Sequence, residues 1–272
     1  MNYTTDFAEI NQMQDLNQHL LRSKKAFQKG DVLSSFSGSI RGEEITYLTV
    51  QLSENEHVSL RPEYLKYINH SCNPNAFFDV DSMNLIALKD IQIGEELTFF
   101  YPSTEWKMVQ PFDCFCQSDN CLGRIEGASK IPTEILKTYK LSSFISRKAG
   151  FCPCGSTNLF SKCCEPKIEG VEKAKTAEEL MRSRYSAYVV SAVDYLIETT
   201  YKTLRKGQSY SDIEQWSKEN RWQKLEIINS TQNTVEFKAY YLDDANHQEI
   251  HHEFSTFTFE DGSWYYSKGE FI

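Results

Sequence analysis

No run among the 272 residues reaches the length of a membrane span. The N-terminus, where Met1 leads into polar Asn/Gln-rich sequence, has no apolar core of the kind a signal peptide carries. Surplus positive charge is missing too: 29 Lys+Arg face 38 Asp+Glu, a formal −9 with a pI near 5.3. This argues against a nucleic-acid coat, which needs a basic face, and no direct nucleic-acid or membrane binding is expected. An acidic surface attracts basic partners such as Lys/Arg-rich peptide tails, though acidity also serves solubility alone. Internal repeats and low-complexity tracts are absent. These absences point to an intracellular protein, cytoplasmic or nuclear, in a reducing compartment where eight cysteines are not expected to be disulfides. An apolar fraction of 40% and a charged fraction of 25% are ordinary for globular chains, and the length suffices for two modest cores.

None of the cysteines stands alone as a core cysteine would. Cys152-Pro153-Cys154-Gly155-Ser156 followed by Cys163-Cys164 supplies four thiols in a C-x-C-x8-C-C pattern, which is a complete tetrahedral zinc set. Cys114, Cys116 and Cys121 supply three in C-x-C-x4-C. A fourth must come from elsewhere, and Cys72 is the only cysteine left, so two four-thiolate zinc sites would use all eight; chance clustering or redox chemistry is the alternative.

From about Gln18 to Tyr101, short apolar runs alternate with turn residues. Examples are Asp31-Val32-Leu33, Ile45-Thr46-Tyr47-Leu48, Leu85-Ile86-Ala87-Leu88 and Leu97 to Tyr101, punctuated by Gly30, Gly38, Gly42 and Gly94. This predicts many short strands. The first fifteen or so residues read as a short helix or a loose arm, and Lys130–Lys148 as a linker helix with Ile135, Leu136, Tyr139 and Leu141 at helical spacing. Thr176-Ala177-Glu178-Glu179 is a capping box opening a long helix, with Leu180, Tyr185, Tyr188, Val189, Ala192 and Leu196 as one stripe. A further helix is predicted over Ser211–Glu219. Period-two runs then predict four strands at Leu225–Ile227, Val235–Tyr240, Glu253–Phe259 and Trp264–Tyr266, forming an antiparallel meander.

Two stretches, Tyr67-Ile68-Asn69-His70-Ser71-Cys72-Asn73-Pro74-Asn75 and Gly94-Glu95-Glu96-Leu97-Thr98-Phe99-Phe100-Tyr101, resemble the signature motifs of SET-domain lysine methyltransferases. The C-x-C-x4-C segment after them resembles the family's post-SET element, whose three cysteines share a zinc with the motif cysteine. The likeness covers roughly residues 18–126. It implies S-adenosylmethionine as cofactor and a lysine-bearing protein as substrate, a histone or another basic protein. Tyr101 is implied to be catalytic, and Phe99 to sit where the number of methyls is influenced, or simply in the core. Asn69, His70 and Tyr67 are implied to contact the cofactor; a polar knot-like turn would use Asn69 and His70 as well. The family's opening Gly-x-Gly is replaced here by Gln18-His19-Leu20-Leu21-Arg22-Ser23, giving Leu20, Leu21 and Arg22 the cofactor-facing positions, and Phe36 stands where a Tyr is common.

The C-terminal half resembles the YchJ-like family. Its four cysteines look like the SEC-C zinc motif, and the run Ala177 to Tyr188 is similar to the helix that follows in that family. The resemblance implies a nuclear-transport-factor-2-like (NTF2-like) cone. Arg182 and Arg184 could bind an anion, but are expected to be solvated helix charges. His247, His251 and His252 are expected to be strand residues without a metal, because His251 and His252 alternate faces. The fold expected is thus a mostly β SET fold of short strands with a knot-like turn and post-SET zinc, then an α+β NTF2-like domain with a curved antiparallel sheet. The domains are residues 1–126, a linker helix 127–149, and 150–272. The activity expected is protein-lysine methylation; the alternatives are an inactive SET-type binding module, or an adaptor whose main function lies in the C-terminal domain.

Overall fold

The computed structural model describes residues 5–12, 19–38, 40–41, 46, 48–245 and 247–272. The chain divides into two compact units, Met1–Ala149 and Gly150–Ile272.

In the first unit, β1 (Ala8–Gln12) pairs antiparallel with β2 (His19–Ser23). The N-terminal arm expected from its polar composition is therefore in part a strand. Phe7, Ala8 and Ile10 are the reason: they bury against the core and offset the loss of freedom of the arm. Next come β3 (Val32–Ser35), β4 (Ile40–Arg41), β5 (Thr49–Gln51) and β6 (His57–Ser59). Of the run expected at 45–48, Ile45 and Tyr47 lie outside the described residues, as does Gly42; the strand observed nearby is β5. The strands β7 (Asn69–His70), β8 (Ala76–Asp79), β9 (Asn84–Ala87) and β10 (Thr98–Phe99) join β3 in a sheet of order β3-β9-β8-β10-β7, while β4-β6-β5 form a second sheet. The core between them holds Leu21, Leu65, Phe78, Leu85 and Leu97, all fully buried. Each such side chain contributes roughly 1.5–3 kcal/mol. Gly38 is required by close approach, since a Cβ there would lie 1.7 Å from the Ser59 carbonyl oxygen.

The strand β10 runs parallel to both β7 and β8, with Thr98 opposite Asn69 and Phe99 opposite both His70 and Ala76. The two motif stretches are thus adjacent rungs of one sheet. Beyond them, β11 (Phe112–Asp113) and β12 (Arg124–Ile125) form a small ribbon. The single linker helix expected over 130–148 is instead two short helices, α1 (Thr133–Leu136) and α2 (Ser143–Lys148). Ser142, in extended conformation, starts α2 afresh by accepting a hydrogen bond from Ile145 N at 3.2 Å.

In the second unit, α3 (Glu165–Ile168) precedes α4 (Ala177–Val189). Thr176 caps α4 by accepting from Glu179 N at 3.1 Å, and the Glu179 carboxylate accepts from Lys175 N at 3.0 Å. The stripe expected to run on to Leu196 is broken. Ser191 adopts φ 54°, and the chain restarts as α5 (Val193–Glu198). Each helix still turns an apolar face inward, so the spacing alone does not reveal the break. After α6 (Lys202–Arg205) and α7 (Tyr210–Glu219), β13 (Arg221–Ser230), β14 (Thr234–Leu242), β15 (Gln248–Glu260) and β16 (Ser263–Phe271) form a four-stranded antiparallel meander. Leu180, Tyr185, Trp222, Val235, Phe237 and Phe257 fill the core between α4 and the sheet.

Candidate active site and cysteine clusters

The parallel rungs of β7 and β10 place the two motifs side by side. Asn69 Nδ2 donates to the His19 carbonyl at 3.2 Å and to Glu96 Oε1 at 3.0 Å, tying β7 to the β2 hairpin and to the turn before β10. His70 accepts at Nδ1 from Tyr101 N at 3.3 Å, and its Nε2 lies 3.4 Å from Cys72 Sγ. Burial lowers the His70 imidazole to about 4, which makes it neutral at physiological pH. Tyr101 follows β10 at the start of a short helical turn. Its ring packs on Phe99 at 4.6 Å and edge-on to His70 at 5.2 Å. Its hydroxyl reaches the Ile68 carbonyl at a long 3.3 Å. Burial, reinforced by the Glu96 carboxylate, pushes the phenol up to about 12, so the hydroxyl keeps its proton.

Ile68, Phe99 and Tyr101 line a cavity of about 40 Å³, together with Leu65, Val50 and Glu105. Glu105 carries no obvious signal in the sequence apart from falling four residues after Tyr101. It accepts from Gln51 N at 2.9 Å and lies 3.7 Å from His57 Nε2. Burial raises its carboxyl pKa. The cavity wall is therefore mainly apolar, with the buried acid Glu105 and the basic Lys66 as its charged-type members.

The residues of β2 have mixed positions. Leu21 is fully buried in the core, Leu20 is 5% exposed, and the Arg22 guanidinium donates to the Gly94 carbonyl at 2.7 Å. Tyr67 packs against His19 at 4.9 Å. Asn11, opposite Leu20 in the hairpin, has a buried side-chain oxygen with no partner among the described residues.

The eight cysteines gather in two sets, Cys72 with Cys114, Cys116 and Cys121, and Cys152 with Cys154, Cys163 and Cys164; within each, the ligand atoms all lie within 4.8 Å of one another. In the second set Cys154 Sγ and Cys163 Sγ are 3.7 Å apart, and Cys163 Sγ and Cys164 Sγ 3.9 Å. A tetrahedron with ~2.3 Å metal–sulfur bonds has edges of about 3.8 Å, so the donor set and its spacing both fit zinc. Local turns make this possible. Gly155 takes φ 78°, folding the segment back so that Cys152 N meets the Asn158 carbonyl at 2.7 Å. In the first set, Cys114 N donates to the Gly123 carbonyl across the β11–β12 ribbon, and Leu122 N lies 3.4 Å from Cys72 Sγ. Sequence reasoning missed the brace beneath it: Tyr139 stacks on Phe100 at 3.8 Å and donates to the Cys72 carbonyl at 2.9 Å.

The histidines of β15 go to separate partners, His251 to Glu253 at 2.8 Å and His252 to Glu236 at 2.9 Å, and among the described residues they form no metal cluster. Arg182 pairs with Glu178 and donates to the Cys154 carbonyl. Arg184 departs from the expectation of a solvated charge: it is 5% exposed, because its position on α4 turns inward toward the sheet.

The sequence matches the family model of the SET domain over residues 13–102 and that of the YchJ middle NTF2-like domain over residues 176–269. A relative named methyltransferase flvH, from Aspergillus flavus, is 40% identical over 126 residues, which is 46% of this chain and 70% of the relative. A UPF0225 protein of Geobacter sulfurreducens is 38% identical over 125 residues, 43% of this chain and 77% of its own length. The chain belongs to the SET-domain and YchJ-like families. The solution structure of a SEC-C motif containing protein from Rhodopseudomonas palustris is also similar to this SET–YchJ-like protein, at 34% identity over 44% of this chain and 98% of the other, with a TM-score of 0.42. Among the described residues of the SET–YchJ-like protein, no helix is long and apolar enough to cross a membrane.

Proposed function

We propose that this protein transfers methyl groups from S-adenosylmethionine to lysine side chains of a protein substrate, with residues 1–126 as a SET and post-SET domain, 127–149 as a linker and 150–272 as the SEC-C and NTF2-like domain. The SET match and the methyltransferase-named relative support methyl transfer. The observation that carries the lysine reading is the slot beside Tyr101: about 40 Å³, apolar along Ile68, Phe99 and Leu65, with a protonated phenol in its wall. An unbranched alkyl stem fits such a slot. Desolvation there favours the neutral amine that the chemistry requires. The Tyr101 oxygen accepts a hydrogen bond from that amine and aligns its lone pair. Glu105 adds a buried carboxyl to the wall, whose oxygen can accept a hydrogen bond from the amine.

S-adenosylmethionine supplies the electrophilic methyl when bound. Asn69, His70 and Tyr67, with Leu20, Leu21 and Arg22 of β2, are the residues assigned to hold it. The orphaned oxygen of Asn11 beside Leu20 fits a ligand rich in N–H donors. Zinc is assigned to both cysteine sets in a structural role, because four sulfurs leave no open position. The knot-like turn is assigned to the Asn69–Asn75 segment, which lies beside β10, and the first zinc would fasten the post-SET tail to it.

The acidic balance of −9 supports a basic protein as substrate, and eight cysteines without a disulfide support a reducing, cytoplasmic or nuclear setting. The test is transfer of label from S-adenosylmethionine into a lysate of the source organism, comparing wild type with Tyr101→Phe. Label on lysine that disappears in the variant supports the reading, and label on another residue type, or none, refutes it. The second reading is a binding module without transfer, favoured by buried Leu20 and Leu21 where Gly-x-Gly is usual. Calorimetry separates the two, because such a module gives no heat with micromolar S-adenosylmethionine.

A further inference from the structure

The second unit contains a cavity of about 180 Å³ between α4 and the sheet. Its most unusual occupant is Arg184. A guanidinium stays charged at physiological pH, and burying one without a counter-ion costs several kcal/mol. Among the described residues no carboxylate pairs with it. Its recorded hydrogen bonds all leave from Nη1, to the Leu196 carbonyl at 2.7 Å and to the hydroxyls of Thr199 and Thr200 at 2.7 and 3.3 Å. Its Nε and Nη2 have no partner there. The guanidinium lies 4.9 Å above the Tyr266 ring, a contact that fixes its plane without neutralising its charge.

The acid nearest in the cavity wall does not fill that role. Glu253 is 6% exposed, and its oxygens are occupied by His251 at 2.8 Å, Tyr266 at 3.0 Å and Ser255. Two other polar groups face the cavity unpaired. The Tyr188 hydroxyl makes no hydrogen bond among the described residues, and the Gln208 side-chain oxygen is buried without a partner. The free capacity is thus mainly donors around a positive charge, with one acceptor. The rest of the wall is aromatic: Trp216 and Trp222 meet edge-on at 4.8 Å, and Phe237 continues the surface.

We propose that this cavity is a binding site for a small organic carboxylate with a flat apolar body. The carboxylate would take the free edge of Arg184 and the Tyr188 hydroxyl, a charge-assisted fork. The apolar body would lie against Trp216, Trp222 and Phe237. A volume below the ~300–1,000 Å³ usual for drug-sized ligands restricts the ligand to a small molecule. This inference is independent of the methyl-transfer reading, because none of its residues belongs to the first unit.

The test uses the full-length protein and the fluorescence of its tryptophans, two of which stand in the cavity wall. The probes are benzoate, its neutral isostere benzamide, and inorganic phosphate. Benzoate is expected to change the emission saturably and to bind about tenfold or more tighter than benzamide, with phosphate competing weakly. Arg184→Gln is expected to remove that preference. Tyr188→Phe, which deletes one hydroxyl from a half-buried ring, is expected to weaken benzoate about threefold to tenfold without altering the far-ultraviolet circular dichroism. No saturable change with benzoate, equal binding of benzamide, or equal binding of phosphate would each overturn the proposal. Should Arg184→Gln fail to fold, the wild-type probe comparison and Tyr188→Phe decide it.

Discussion

Tyr101 and Asp81 show how one buried side chain sets a measurable property. The Tyr101 phenol, pushed up to about 12 by burial and then by Glu96, works as a neutral hydroxyl over the whole physiological range. Tyr101→Phe is expected to keep the fold, since its ring contacts with Phe99 and His70 survive, while lowering the transfer rate by about 10²-fold or more, the scale of losing one oriented polar group in a reaction site. Single-turnover kinetics beside circular dichroism would check both halves. Asp81 is held by Ser143, whose hydroxyl donates at 2.6 Å and whose N–H donates at 3.2 Å. Its carboxyl pKa is nonetheless raised, chiefly by burial. A pKa raised on folding means the protonated form stabilises the fold. That contribution is fully present below the unfolded value of about 3.9 and is lost as pH rises through the folded value. Relative to Asp81→Asn, wild type should therefore lose stability as pH rises above about 3.9 and through the raised folded value. Thermal unfolding of both proteins across that range reads the difference directly, and a wild-type gain with rising pH would contradict it.

At the scale of elements, the cysteine motifs were the most legible part of the sequence. Spacing and elimination alone put Cys72 with Cys114, Cys116 and Cys121, and the sulfurs do gather there. The capping box at Thr176 was equally readable, and Thr176→Ala is expected to cost about 1 kcal/mol, measured as a lower midpoint of denaturant unfolding. Other elements were hidden by physics that a local pattern does not carry. The apolar positions from Leu180 to Leu196 fall on two helices and not one, because Ser191 turns the chain between them. The strand β1 looks like a polar arm because Glu9 and Asn11 interrupt its apolar residues and only Phe7, Ala8 and Ile10 anchor it. Glu105 and Tyr139 were invisible because their roles come from contacts with residues far off in sequence. Tyr139, for instance, reaches the Cys72 carbonyl across the sequence gap. Arg184 was misjudged for the same reason: nothing in its neighbours along the helix says which way it points.

For the whole molecule, two units with separate cores predict separable behaviour. Elemental analysis of protein purified without chelator is expected to find two zinc ions per chain, and Cys116→Ser to find one. Calorimetric scans of the variant should show the transition of residues 150–272 unchanged and that of the first unit shifted down or lost, since an incomplete ligand set no longer contributes its binding free energy to folding. Loss of both transitions together would show that the units do not melt independently.

Cys72 stands two residues from His70 and within 3.4 Å of its ring, with its carbonyl gripped by both Asn120 and Tyr139. On the zinc and methyl-transfer assignments above, structural support and chemistry share one short stretch of backbone, so disturbing the metal set disturbs the site as well. Modification of the more exposed Cys116 or Cys121 of the same set would release the metal and loosen the stretch that carries Asn69 and His70, so loss of zinc and loss of turnover are expected to run together.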